Sequence, residues 1–162
     1  MEVKVISGIK EFLRKPDQSI NRYLHPFPSQ TKIEKIIKDY PSHKGPFKGA
    51  IDFIVPLGTP VLAPLEGIVT AVVDTNDKFG PTEDFKDFLN YITIRHSNGE
   101  YSQPAHLAKG SVLVKIGDNV KEGQQLAVTG NSGWMTEPHL HFFVFKAAPT
   151  KEGFIGLNPR FK

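Results

Sequence analysis

The sequence predicts a mainly β chain, a compact β-sandwich with one short N-terminal helix. Three observations carry that expectation. Glycine (14) and proline (13) together make up 27 of 162 residues, too much punctuation for a long-helix bundle and suited to short strands and turns. From about Gly49 onward, apolar residues alternate with period two, the spacing of a strand with one buried face. A short internal echo also recurs: Pro56-Leu57-Gly58-Thr59-Pro60-Val61 followed by Gly67–Val72 resembles Lys115–Val120 followed by Gly123–Val128. In each unit a glycine turn, a valine and a second glycine lead into a strand. Two such units packed pseudo-symmetrically would form a sandwich.

Residues 1–42 read as an N-terminal arm and 43–162 as the β domain. Within the arm, Val3, Val5 and Ile6 suit a short strand, and 16–30 are irregular. Thr31-Lys32-Ile33-Glu34 has the form of a capping box. Ile33, Ile36, Ile37 and Tyr40 follow at helical spacing up to Pro41, which predicts a short amphipathic helix. Strands are then expected at 50–55, 61–63 and 67–73, and a polar, acidic loop with three phenylalanines at 74–89. Tyr91–His96 and Tyr101–His106 flank a Ser97-Asn98-Gly99-Glu100 turn, and further strands fall at 112–115, 125–129 and 139–145. The tail, 147–162, is loop with a possible terminal strand.

The net charge is +3, from 20 basic and 17 acidic residues. That suits a polyanionic surface but is too weak to argue for one, and the basic residues are scattered, so no nucleic-acid partner is expected. There is no stretch of about 18 apolar residues that would serve as a transmembrane helix, and no apolar h-region of a signal peptide is visible at the start. Oligomeric state is not legible. Cysteine is absent, so a metal would have to sit on His, Asp or Glu. Glycine-rich nucleotide loops, the GxSxG elbow and helical HExxH are all missing.

His139-Leu140-His141, opening the β-prone run Phe142–Phe145, is the sharpest local signal. In a strand both imidazoles project from one face while Leu140 points into the core, and paired imidazoles suit Zn2+. A surface strand with two harmless histidines is the bland alternative. The Gly130-Asn131-Ser132-Gly133-Trp134 turn just upstream could lie over a site, with Trp134 as a wall. Asp52 stands inside the apolar run 50–55, where a carboxylate is costly unless paired or metal-bound. His43 and His106 mean little alone, His96 precedes a hairpin turn, and His25 has no partner in the sequence.

Taken together these segments resemble a known family. Asp52-Phe53, Pro56–Pro64 and Glu66–Val69, then Ala105-His106-Leu107, then Gly130–Trp134 and Pro138-His139-Leu140-His141-Phe142, resemble the M23 zinc metallopeptidases of the lysostaphin/LytM type over roughly residues 43–146. The resemblance implies an antiparallel β fold, a sandwich or barrel-sandwich hybrid with a groove. It also implies one Zn2+ per chain and hydrolysis of peptide bonds in bacterial peptidoglycan, hence a cell-envelope or extracellular setting. By position it makes Asp52 and His141 zinc ligands and His106 and His139 the catalytic histidines. The family's other ligand is a His usually four residues before the Asp, where this chain has Lys48. Some members carry Ser-His-Lys-Gly, a short insert and an Asp-Phe pair instead. Ser42-His43-Lys44-Gly45 with Asp52-Phe53 matches that variant, so the resemblance assigns His43. It further implies that the 74–89 and 130–134 loops flank the cleft.

Two other functions fit the same residues. One is an M23-like module that binds wall or a partner without cleaving it. The other is a histidine phosphocarrier of related β architecture. An arm residue, His25 or Asn21, seated over the metal would make a latent form.

Overall fold

The computed structural model describes residues 15–162, so the expected strand at Val3–Ile6 lies outside the described residues. Among them the main sheet has nine strands and curls into a half-barrel with almost no helix. Its path runs β1 (Gln18–Tyr23), β13 (Phe154–Phe161), β12 (Leu140–Ala147), β8 (Glu100–Ala105), β7 (Tyr91–Arg95), β5 (Gly67–Val73), β9 (Asn119–Val120). Two more strands, β2 (Lys35–Ile37) and β3 (Ile51–Ile54), join it from the side, because β3 pairs with the first half of β12 and β13 with the second. Two small sheets join β4 (Pro60–Leu62) to β10 (Gln125–Val128), and β6 (Phe79–Gly80) to β11 (Gly133–Trp134).

One face of the main sheet is the core. Ile92, Ile94, Leu140, Phe142 and Val144 are fully buried there with Ile51 and Phe53. Period-two alternation sends the intervening residues of the same strands to the other face. Thus Thr93, Gln103, His141, Phe143 and Phe145 share the side opposite the core, as the cross-strand pairs His141↔Ala105, Phe143↔Gln103 and Phe145↔Tyr101 require.

The internal echo becomes reciprocal pairing. The first strand of unit one, β4, pairs with the last strand of unit two, β10. The last strand of unit one, β5, pairs with the first of unit two, β9. The turns follow the same rule: Gly58 donates to the Thr129 carbonyl, and Gly117 to the Val69 carbonyl. Both glycines have positive φ, 79° and 94°, a conformation in which a side chain would be strained.

The expected helix at 31–40 is corrected. Residues 35–37 form β2, an antiparallel neighbour of β3 with Lys35↔Ile54, Ile36↔Phe53 and Ile37↔Asp52. A ten-residue helix is below the length that is stable by itself, whereas the open edge of buried β3 offers backbone partners to a β-branched run. Residues 18–23, read as irregular, are likewise a strand, and β1 lies parallel to β13. Segment 112–115 is not a strand; it touches β10 through the Leu113 amide to the Leu126 carbonyl.

Candidate metal centre and cleft

The register of β3 against β12 builds the centre. Asp52 and His141 are direct cross-strand partners, so their side chains leave the sheet on the same face. His141 Nδ1 lies 2.9 Å from Asp52 Oδ1. His139 sits just before β12, with Leu140 fully buried between the two histidines. Its Nε2 is 3.8 Å from the same carboxylate oxygen. His43 arrives from the loop ahead of a 3-10 turn at Gly45–Phe47. Its Nε2 is 3.2 Å from Asp52 Oδ1, and its Nδ1–H donates to the Lys38 carbonyl at 3.0 Å. The four side chains expected to converge therefore meet at one carboxylate.

Donor atoms of His43, Asp52 and His141 lie within 4.8 Å of one another, a His/Asp/His group able to hold a metal ion. Three features fit zinc. Tetrahedral ligand atoms at about 2.0–2.2 Å from zinc are about 3.3 Å apart, close to the 2.9 and 3.2 Å found here. His43 Nε2 is a buried nitrogen with no hydrogen-bond partner, which burial makes costly unless something else satisfies it. Its other nitrogen is committed to a carbonyl, the usual support that orients a metal-binding histidine. Burial alone would raise the Asp52 pKa. The His141 hydrogen bond and the close approach of the His43 ring outweigh it and hold the carboxyl well below the usual carboxylate range, so the group is anionic.

His106 caps the end of β8 and borders the same space. Its ring centroid lies 4.4 Å from that of His139 and 6.0 Å from that of His141. It has a left-handed backbone, φ 64°, which costs a non-glycine residue about 1–3 kcal/mol and persists only where the surroundings enforce it. Its Nδ1–H donates to the Ser132 carbonyl at 2.6 Å. Burial, reinforced by His139 and His141, pushes its pKa down to about 3. Burial also lowers His139, whose Nδ1–H donates to the Glu137 carbonyl at 2.8 Å. Both rings are thus neutral near pH 7, each with its Nδ1 proton held by a backbone carbonyl and its Nε2 unprotonated.

A cleft of about 560 Å³ opens over His106 and His141. Phe47, Leu89 and Trp134 give it apolar walls, and Glu83 and Lys86 place opposite charges on it. Both loops expected to flank a cleft contribute, 74–89 through Glu83, Lys86 and Leu89, and 130–134 through Trp134. Lys48 is not among the residues lining that cleft; it lines a smaller pocket of about 300 Å³ with Lys38, Asp39 and His43.

The other histidines are away from the centre. His96 is buried between the Glu66 carbonyl and the Ser102 hydroxyl. His25 stacks on Phe161 at 4.4 Å, and Asn21 donates to the Ser97 carbonyl, so neither caps the metal group. Two buried residues that sequence reasoning passed over, Asn90 and the Ser132 side chain, join His106 to the cleft loops. Ser132 stood inside the singled-out turn, while Asn90 showed nothing beyond a polar residue before a strand.

Residues 46–152 match peptidase family M23. The chain belongs to that family. The match begins three residues after His43, so the group at 43 stands outside it and is located by the fold. Among relatives, an uncharacterized metalloprotease of Buchnera aphidicola is 35% identical over 144 residues, 89% of this chain and 34% of its own length. Peptidoglycan DD-endopeptidase ShyC of Vibrio cholerae is 34% identical over 140 residues, 82% of this chain and 26% of that protein. This chain therefore spans about a third or less of the length of these relatives. Among solved structures, a variant of the catalytic domain of the prophage-encoded M23 protein EnpA from Enterococcus faecalis superposes with a TM-score of 0.59 at 27% identity, covering 84% of this chain and 93% of that one.

Proposed function

We propose that the protein is a zinc-dependent endopeptidase that hydrolyses peptide bonds in bacterial peptidoglycan, in a cross-bridge or stem peptide. The observation that carries this reading is the convergence of His43, Asp52 and His141 beside the neutral His106 and His139, with His106 and His141 lining an open cleft. The DD-endopeptidase relatives point the same way.

His43, Asp52 and His141 would hold one Zn2+, leaving a fourth position open as catalytic sites do. Bound there, zinc supplies Lewis acidity to a carbonyl and makes water a nucleophile near neutral pH. The remaining work belongs to His106 and His139. Amide hydrolysis needs an acceptor for the water's proton and a donor for the leaving nitrogen. Each ring offers an unprotonated Nε2, and each holds its Nδ1 proton on a carbonyl, which stops the tautomer from exchanging. A ring that has taken the proton can hydrogen-bond the carbonyl oxygen as negative charge builds there. Phe47, Leu89 and Trp134 exclude water from one side of the peptide and set its path past the two rings.

Digestion of purified peptidoglycan tests the reading. The zinc-loaded protein should release soluble cross-link fragments and the chelated protein none. His106→Ala should keep the metal and lose turnover. Zinc-loaded protein that binds peptidoglycan without cutting it would make the chain a binding module. Loss of metal in His106→Ala would make that residue a ligand.

A further inference from the structure

We infer that Asn90 and Ser132 are positioning residues that fix the His106 imidazole and tie it to both cleft walls. The inference rests on the role given to His106 above.

Both residues have no exposed surface, and every side-chain polar group of each is used. The Asn90 amide oxygen accepts from the Asn76 amide at 3.0 Å. Its NH2 donates to the Asn76 carbonyl at 2.8 Å and to the Leu107 carbonyl at 3.1 Å. The Ser132 hydroxyl accepts from the Asn90 backbone N–H and donates to the Leu107 carbonyl, both at 3.1 Å. The Leu107 amide closes the circuit onto the Asn90 carbonyl at 3.3 Å. Leu107, the residue after the strained His106, is thus held through its amide once and through its carbonyl twice.

The ring is held from the other side. Ser132 gives its carbonyl to His106 Nδ1–H, and the Gly130 amide donates to the His106 carbonyl at 2.9 Å. One serine therefore grips the imidazole by its carbonyl and the following residue by its hydroxyl. Through Asn76, the Asn90 amide extends the same hold to the base of the 74–89 loop, which carries Glu83, Lys86 and Leu89 into the cleft. A left-handed histidine survives only where its surroundings over-determine it, and this circuit is what surrounds it. Reacting groups misplaced by about 1 Å lose about 10²-fold in rate, so loosening the circuit should act on turnover ahead of binding.

The test compares Asn90→Ala, Asn90→Asp and Ser132→Ala with Ser102→Ala, using a purified cross-linked muropeptide and the zinc-loaded protein. Ser102 is also fully buried, and its hydroxyl bonds His96 Nε2 at 2.7 Å, so its loss removes a comparable bond away from the cleft. Asn90→Asp keeps the shape of the side chain and loses both donors, which provides a second variant if alanine does not fold. The expected result is wild-type zinc content and KM within about twofold, with kcat down about 10–100-fold at positions 90 and 132 and unchanged for Ser102→Ala. Nitrogen-detected NMR of His106 should show a single Nδ1–H tautomer in wild type and a mixture in the variants. Unchanged kcat at both positions, or an equal loss in Ser102→Ala, overturns the inference. Full turnover by His106→Ala would defeat the proposed role of that histidine; the NMR signature then decides the positioning claim by itself, and an unchanged tautomer overturns it.

Discussion

Replacing His106 by Asn should flatten the acid sensitivity of the metal-free protein by an amount the structure sets. Asparagine tolerates the left-handed backbone found at this position, and its amide can still donate toward the Ser132 carbonyl. In the unfolded chain the imidazole titrates at its ordinary 6.5, whereas burial holds it near 3 in the fold. Between those values the unfolded state binds more protons, so stability rises with pH and is lost on acidification. From pH 7 to pH 5 the unfolded ring takes up about three-quarters of a proton while the folded ring takes up almost none. The difference is about 2 kcal/mol from this residue alone. His139 and His96, both lowered by burial, add to the loss. His43, whose pKa Asp52 raises against the effect of burial, opposes it. Urea unfolding of the metal-stripped protein at the two pH values isolates the His106 share as the difference between wild type and His106→Asn. A pH dependence that is the same in both proteins would refute a buried, neutral His106.

Two further predictions concern the frame around the site. Tyr23→Phe removes the 2.8 Å hydrogen bond to the buried Glu100 carboxylate, which also accepts from the Ile20 and Asn21 amides; it should cost about 1.5–3 kcal/mol, lower the melting temperature and speed amide exchange at Ile20. Gly156→Ala would set a Cβ 1.9 Å from the Lys48 carbonyl oxygen and 2.8 Å from Phe143. Since β13 must shift to admit it, the variant should lose at least about 2 kcal/mol, measured by thermal unfolding.

How much of this was legible in the sequence depended on whether the cause was local. The HxH pair was legible because two-residue periodicity alone puts both rings on one face. Asp52 stood out as a carboxylate in an apolar strand, but its meeting with His141 is a matter of register between strands 89 residues apart. His43 is nine residues from Asp52 and reaches it only because the 38–47 segment folds back along the sheet, which no local period encodes. The same non-local pairing turned 35–37 into a strand on the edge of β3, overriding a helical spacing that was present in the sequence. β1 was missed because Pro and polar residues surround it and its partner, β13, lies at the far end of the chain. Asn90 was silent for a related reason: a buried asparagine is recognisable only from the three segments it joins.

The most direct test of the account is the zinc content of three purified proteins, wild type, His43→Ala and Lys48→Ala. If His43 completes the group with Asp52 and His141, wild type and Lys48→Ala should each hold about one zinc per chain, and His43→Ala should hold little or none. Full zinc in His43→Ala, with loss in Lys48→Ala, would contradict it.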